Sequence, residues 1–204
     1  MKLLTIIPAK LDSKRLPNKN LQEINNKSLI EHSIGYAKQS KYDNVIVVST
    51  EDTELVKKSL KHYSNIILQN RPKELCGDVE VVEVYFHVVK KLIADYFPLK
   101  GNLETLFDYV ICLQPDNPNR SNTLDECLNY MIKNNYDDLI TINPSYKRSG
   151  SVRIFKYKHL INGHVSKRIG CIKDNATDIH YEKDLDVIML AKIISIIHFQ
   201  LKLH

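Results

Sequence analysis

The chain has 204 residues and a net charge of +5; 43% of the residues are apolar and 26% are charged. These values predict one soluble domain over residues 1–204, with enough apolar residues for a proper core. No apolar run approaches the roughly 20 residues that span a bilayer, no signal-peptide cleavage site is found, and no CxxC pair occurs, so we expect a cytoplasmic protein without membrane, zinc or disulfide framework.

Short apolar runs alternate with helical patterns along most of the chain. Strands are predicted at 3–7, 45–48, 66–68, 109–113 and 139–142, and helices at 28–39, 51–62, 79–96 and 122–133. This alternation predicts an α/β fold, a three-layer α/β/α sandwich with a mostly parallel sheet. After Pro144 the pattern predicts strands at 152–157 and 169–172, and then an apolar helix at 182–199 that either packs deeply or forms a subunit contact.

The first predicted strand ends at Pro8 and leads into a basic loop. Four cations, Lys10, Lys14, Arg15 and Lys19, follow within this loop. Ligands in open α/β sheets bind at the carboxyl ends of the strands, where backbone N–H groups and lysines can bind an anion. We therefore predict a polyphosphate site; the alternative is a solvated basic loop. The basic residues are otherwise scattered and show no aromatic stacking pattern, so nucleic acid is not an expected partner.

Four stretches carry a resemblance to a known family. They are IIPAKLDSKRLPNKNL at 6–21, RPKELCGD at 71–78, LQPDNPNR at 113–120 and DIHYEKDL at 178–185. In this order they resemble the motifs of the cytidylyltransferases that make CMP-sialic acid and CMP-Kdo. The resemblance implies a fold of the nucleotide-diphospho-sugar transferase type. It also implies that an acceptor hydroxyl attacks the α-phosphorus of CTP and that pyrophosphate leaves.

The resemblance assigns roles to individual residues. Lys14, Lys19 and Lys10 are the expected catalytic cations on the phosphates, although the sialic acid enzymes usually have arginine in place of Lys10. The expected nucleotide-binding residues are Ala9, Leu11, Ser13, Asn20 on the ribose, Arg71 on the cytosine, and Gln114.

The sequence also gives expectations for the acceptor site and for the region near the base. Gln114 and Arg120 are implied to bind the acceptor, with a structural role at a helix start as the alternative for Arg120. Asp78 is expected to cap the helix that starts at residue 79. Val81 and Val82 stand where the family often has a small hydroxyl residue, so base recognition is expected to use backbone groups.

The metal site implied by the resemblance consists of Asp178 and His180. The family usually has two aspartates here, and imidazole is a poor ligand for Mg²⁺. Three interpretations remain open: His180 binds a softer ion such as Mn²⁺, it acts as a base, or Asp178 holds Mg²⁺ with phosphates and water alone. In a fourth interpretation, Asp178 only caps the final helix.

The connection after residue 142 is much shorter than in the family. The insertion that forms the dimer arm and lines the acceptor pocket is reduced to residues 143–150. This leaves the acceptor and the formation of a homo-oligomer open. We expect transfer of CMP to an acidic sugar, with a sugar phosphate as the alternative acceptor and a CTP-binding relative with little turnover as the alternative function.

Overall fold

The computed structural model describes residues 1–97, 103–163, 166 and 168–201, with side chains as far as residue 191. Its core is a seven-stranded sheet. The strands of this sheet are β1 Lys2–Pro8, β4 Asp43–Thr50, β5 Ile66–Asn70, β6 Tyr109–Cys112, β7 Asp138–Ile142, β8 Arg148–Lys156 and β9 Ile169–Lys173. A separate two-stranded hairpin is formed by β2 Glu23–Ile24 and β3 Lys27–Ser28. The sequence analysis did not predict this hairpin.

The strand order is β5-β4-β1-β6-β8-β7-β9, and every neighbouring pair is parallel except the two pairs that involve β8. Because β8 is antiparallel to both β6 and β7, the carboxyl ends of β1, β4, β6 and β7 lie at one edge of the sheet. The mostly parallel sheet of the prediction is confirmed.

Helices cover both faces of the sheet, as predicted. They are α1 Leu29–Lys38, α2 Thr53–Ser59, α3 Val81–Tyr96, α4 Leu124–Lys133, α5 Tyr157–Ile161 and α6 Glu182–Leu201. One apolar core lies between the sheet and α1, α2 and α4, and a second lies between the sheet and α3 and α5. The short helix α5 was missed, because its five residues are too few for a helical pattern.

Helix starts are fixed by polar side chains at α1, α2 and α4. Ser28 and Thr123 form capping boxes with Glu31 and Glu126, and the side chain of Asp52 accepts the Leu55 N–H. These caps place each start one to two residues from the predicted position.

Two predictions of the helix α3 region are wrong. The helix begins at Val81, not at residue 79, and Glu80 occupies its N-cap position without a side-chain cap. Asp78 therefore does not cap this helix. It faces the cavity described below.

A third apolar cluster attaches the start of α6 to the basic loop. Leu16, Ile24 and Leu29 pack there against Ile179, Leu185 and Ile188. The cluster brings the late acidic motif of the sequence to the amino-terminal loop. Farther along α6, Val187 and Leu190 are exposed, so deep packing holds for one side of its first half only. Within the described ranges, none of the helices is long and apolar enough to cross a bilayer.

Candidate active site

A cavity of about 630 Å³ opens at the carboxyl edge of the sheet. Its size falls in the range of small-molecule sites. Its walls come from the basic loop, the segment after β5, the start of α3 and the segment after β6. The lining residues are Pro8, Lys10, Asp12, Ser13, Lys14, Arg15, Lys19, Asn20, Arg71, Leu75, Gly77, Asp78, Val79, Val81, Val84, Gln114, Pro115 and Asp116.

The cavity brings together seven of the residues that the sequence analysis expected to act on or bind the nucleotide. All three lysines are among them, and the other four come from the expected nucleotide-binding set. They are Lys10, Lys14, Lys19, Ser13, Asn20, Arg71 and Gln114.

The basic loop is held by hydrogen bonds to the end of β4. The Ala9 N–H donates to the Ser49 carbonyl at 2.8 Å. One carboxylate oxygen of Glu51 accepts the Leu11 N–H at 2.7 Å and the Asp12 N–H at 3.0 Å. These contacts fix the backbone from which Lys10 and Lys14 extend. The sequence analysis missed Glu51, because its partners lie about 40 positions away in the chain.

Ala9 and Leu11 do not present side chains to the cavity. Both side chains are buried in the core under α1, α2 and α4, and both N–H groups already have protein acceptors. The structure therefore gives these two residues a supporting position beneath the loop. It does not bring them to the cavity with the other four expected nucleotide-binding residues.

Lys19 joins three distant parts of the chain. Its Nζ lies 2.6 Å from Oδ2 of Asp116, which follows β6, and donates to the Ile179 carbonyl at 3.1 Å. The other carboxylate oxygen of Asp116, Oδ1, is buried and has no partner among the described residues. An orphaned carboxylate oxygen in a cavity is a ready acceptor for a ligand or a cation.

Asp178 lies beside this ion pair and contacts His180. Its Oδ2 is 3.0 Å from His180 Nε2. Burial and the neighbouring Asp116 carboxylate raise the pKa of Asp178 above its ordinary value, and the charges of His180, Lys19 and Arg15 oppose this rise. The charges of Asp116 and Lys19 are therefore close enough to Asp178 to influence its protonation.

Asp178 does not cap α6, so that alternative is wrong. Asp184, in the first turn of the helix, accepts the N–H groups of His180 and Tyr181, both at 2.8 Å. These two hydrogen bonds lower the pKa of Asp184. Because Asp184 does the capping, the Asp178 carboxylate is not used by the helix; it lies close to Asp116 and Lys19, although it is not among the residues that line the cavity.

Arg71 is buried at the end of β5, with 4% of its surface exposed. Its Nη2 donates to the Ser49 carbonyl at 2.8 Å. Burial lowers its pKa, and the nearby Glu51 carboxylate opposes that change. Arg71 is therefore held in place with part of its guanidinium on the cavity wall.

Gln114 is held from three sides. Its N–H donates to the Gly150 carbonyl at 3.3 Å, and its own carbonyl accepts from Arg120 Nη2 at 2.7 Å. Its side-chain amide lowers the pKa of the buried Tyr85 hydroxyl, which burial raises well above its ordinary value. The amide also lies so close to Gly150 that a Cβ there would be 2.3 Å from Oε1. A residue larger than glycine at position 150 would displace it.

Arg120 does not reach the cavity, so the structure favours the structural alternative for it. Besides Gln114, its guanidinium donates to the Ser151 carbonyl at 2.8 Å and stacks 5.0 Å from the centre of the Tyr36 ring. Burial lowers its pKa to about 10, so it stays protonated at neutral pH. Arg120 braces the segment after β6, and its remaining nitrogen, Nη1, is buried without a partner among the described residues and away from the cavity lining.

The profile of the family described as Cytidylyltransferase matches residues 4–162. The chain belongs to the cytidylyltransferase family. The match includes the basic loop, Arg71, Gln114 and Asp116, whereas Asp178 and His180 lie beyond it.

Two curated proteins show what this cytidylyltransferase-family chain is similar to. A CMP-N,N'-diacetyllegionaminic acid synthase of Legionella pneumophila is 34% identical over 120 residues, which cover 59% of this chain and 48% of that protein. A 3-deoxy-manno-octulosonate cytidylyltransferase of Chlorobium limicola is 32% identical over 131 residues, which cover 61% of this chain and 51% of that protein. The chain thus spans about half the length of the curated relatives it matches.

The fold agrees with that of solved cytidylyltransferases. A CMP:2-keto-3-deoxy-manno-octonic acid synthetase in complex with CTP superposes with a TM-score of 0.68 at 15% identity, covering 96% of this chain and 100% of that one. A 4-diphosphocytidyl-2C-methyl-D-erythritol synthase superposes with a TM-score of 0.66 at 17% identity, covering 93% and 99%. At these identities the likeness supports the three-layer fold.

Asp116 is the main residue of this cytidylyltransferase site that the sequence analysis missed. It stands two residues after Gln114 in the quoted motif at 113–120. An acid just past a strand end, in a loop that also holds a predicted ligand residue, was the signal that could have found it.

Proposed function

We propose that the protein transfers CMP from CTP to a hydroxyl of an acidic sugar, of the sialic acid or Kdo type, and releases pyrophosphate. The observation that carries this proposal is the convergence of Lys10, Lys14, Lys19 and Asp116 in one cavity, with Asp178 close to the Lys19–Asp116 pair. The names of the relatives, which include acidic-sugar cytidylyltransferases, support the acceptor class.

The lysines supply charge where the reaction needs it. The acceptor oxygen forms a bond to the α-phosphorus as the bond to pyrophosphate breaks, and the hydroxyl proton is lost. Negative charge then builds on the leaving pyrophosphate. Lys10 and Lys14 form no ion pair with any described residue, so their ammonium groups are free to neutralise it. Lys19 is already paired with Asp116 and fixes the position of that carboxylate.

Arg71 and Gln114 orient the two substrates. Arg71 is rigid at the end of β5 and offers donors to a base carbonyl. Gln114 is fixed by Tyr85 and Gly150 and presents an amide toward the acceptor side. Positioning of this kind suits a reaction that requires no protein nucleophile.

Mg²⁺ is the proposed cofactor, and the donor set fits it. The unpartnered Oδ1 of Asp116 and the Asp178 carboxylate are hard oxygen ligands. No three acidic, His or Cys side chains among the described residues form a complete cage, so phosphate and water oxygens would supply the remaining ligands. When bound, the ion would offset charge on the phosphates. His180 would orient the Asp178 carboxylate, and Mn²⁺ remains the alternative ion.

A cytoplasmic location is part of the proposal. All four cysteines are free thiols, which favours a reducing compartment. We expect CTP and the sugar as partners, with no nucleic acid and no membrane. A homo-oligomer without the usual dimer arm is the expected form, since only five residues separate β7 from β8.

Pyrophosphate release tests the proposal. The protein is mixed with CTP, Mg²⁺ and, in turn, N,N'-diacetyllegionaminic acid, pseudaminic acid, 3-deoxy-manno-octulosonate and a panel of sugar phosphates. Release with one of the acids, together with a CMP-sugar product, is the expected result. Release with a sugar phosphate alone would identify the alternative acceptor class.

Lys14→Gln is the diagnostic variant, and Lys27→Gln on the exposed β2–β3 hairpin is its control. The first should lower kcat about 100-fold, which is typical for loss of one charge-stabilising donor, and the second should leave kcat unchanged.

If calorimetry shows CTP binding but no acceptor gives turnover, the second candidate function, a CTP-binding relative, replaces the first. His180 in place of the family's second aspartate is the feature that favours this candidate.

A further inference from the structure

The strand β8 contains a large bulge beside the active site. Ile140 of β7 pairs with Arg153, but the next residue, Thr141, pairs with Ser149, so three residues of β8 stand between the two pairs. Ile142 then pairs with Arg148. Cross-strand partners share one face of a sheet and residues two apart share a face, so Arg148 lies on the same face as Arg153.

That face is the one covered by α3. Phe155, two residues after Arg153, packs in the apolar core with Tyr85 of α3. With regular pairing, Ser151 would lie opposite Ile142. The bulge inserts three extra residues into β8, so Arg148 lies opposite Ile142 instead.

Arg148 also lies at the correct edge of the sheet. Its partner Ile142 is the last residue of β7, whose carboxyl end shares an edge with that of β6. Gly150, two residues along β8, touches the Gln114 side chain. A long side chain at position 148 therefore has its base about 7 Å from the glycine that supports Gln114.

Arg148 is exposed, and its side chain has neither an ion pair nor a hydrogen bond with any residue that the structure describes. Its charge nevertheless acts on the Tyr85 hydroxyl, where it lowers a pKa that burial holds well above the ordinary value. The Gln114 side chain lowers the same pKa. Arg148 and Gln114 therefore both act on the Tyr85 hydroxyl.

The residue expected to bind the acceptor, Arg120, is buried, does not line the cavity, and donates through Nε and Nη2 to two main-chain carbonyls. Arg148 is exposed and stands two residues from the glycine that contacts Gln114, and a guanidinium matches a carboxylate by geometry and charge. We propose that Arg148 binds the carboxylate of the acidic acceptor beside Gln114, so that the short turn between β7 and β8 supplies a contact for which a longer insertion is not needed. This inference rests on the proposed function.

Steady-state kinetics of Arg148→Gln test this inference. The acceptor is whichever of N,N'-diacetyllegionaminic acid, pseudaminic acid and 3-deoxy-manno-octulosonate the wild type uses. We expect the KM for the acid to rise about 10- to 100-fold, as for loss of a charge-assisted hydrogen bond, with the KM for CTP changed less than about twofold. Arg148→Lys should retain part of the affinity, because it keeps the charge and loses the fork.

Lys147→Gln is the matched control. It removes one positive charge from the exposed position just before β8. The methyl ester of the acceptor is the substrate control, because it lacks the negative charge. Arg148→Gln should cost nothing with the ester, and Lys147→Gln should cost nothing with the acid.

Four results would overturn the inference while leaving the proposed function intact. They are an unchanged KM for the acid, a raised KM for CTP alone, an equal penalty in Lys147→Gln, and an equal penalty with the methyl ester. Absence of turnover by the wild type with all three acids would instead overturn the proposed function and the inference together.

Discussion

Asp116 connects the chemistry of the basic loop with that of the late acidic motif. Lys19 holds one of its oxygens at 2.6 Å, and the other is buried without a partner in the described part of the chain. Such an oxygen is costly to bury unless a ligand or a cation completes it. The residue therefore links a structural ion pair to the proposed metal site.

Asp116→Asn should abolish the gain in CTP affinity that Mg²⁺ gives. The amide keeps the shape but loses the charge that a hard cation needs. Calorimetric titration with CTP, with and without Mg²⁺, measures this gain. Asp12→Asn, at another acid of the cavity lining, is the control and should keep it. An unchanged gain in Asp116→Asn would remove this residue from the metal site.

Arg120→Met should destabilise the protein by about 2–4 kcal/mol, because it leaves the Gln114 and Ser151 carbonyls without their donor. The free energy of unfolding in urea measures the loss. Lys58→Met on α2, at an exposed position, should cost less than about 0.5 kcal/mol. Equal stability of the two variants would contradict the bracing role.

Individual site residues were predictable where a local pattern carries them. Lys10, Lys14 and Lys19 follow a strand end, and that context alone indicates an anion site. Glu51 and Asp116 act through contacts 39 to 97 positions away along the chain, which no local pattern reveals. For Arg120 the resemblance implied acceptor binding and left a structural role as the alternative. Its burial against Tyr36 depends on tertiary packing, so no local pattern could choose between the two.

At the scale of the element, the first turn of α6 holds the segment that carries Asp178 and His180. Asp184 accepts two N–H groups from the residues that follow Asp178. The sequence predicted this helix from its apolar run, and it considered only Asp178, as an alternative to its metal role, for the capping. Two acids six positions apart gave no local reason to choose between them.

Asp184→Asn should lower stability at neutral pH by less than about 1 kcal/mol, because the carboxylate is largely solvated. The pKa of Asp184 is lowered in the folded state. Its contribution is therefore present above the unfolded pKa of about 4 and is lost as the pH falls through the folded value. Thermal unfolding from pH 7 to pH 2 should show the two proteins converging at the acid end. A constant difference across this range would contradict the capping role.

At the scale of the whole molecule, alternation of strands and helices was enough to predict the sandwich and its mostly parallel sheet. The position of β8 between β6 and β7 was not predictable. Strand order depends on which edges meet in three dimensions, and the sequence shows only where strands begin and end. The bulge in β8 is equally invisible, although it decides which face Arg148 occupies.

The convergence of the basic loop, the end of β6 and the segment before α6 follows from the same architecture. Parallel strands place their carboxyl ends at one edge, and the apolar cluster of Leu16, Ile24 and Ile179 attaches α6 there. The cavity therefore forms only when the sheet, the basic loop and the segment before α6 have all taken their folded positions.

A crystal structure with CTP and Mg²⁺ tests this convergence most directly. We predict the triphosphate within hydrogen-bond distance of Lys10 and Lys14, the cation on the Asp116 and Asp178 oxygens, and the cytosine on the Arg71 side. A triphosphate bound outside this cavity, or a cavity without nucleotide at saturating CTP, would contradict the account.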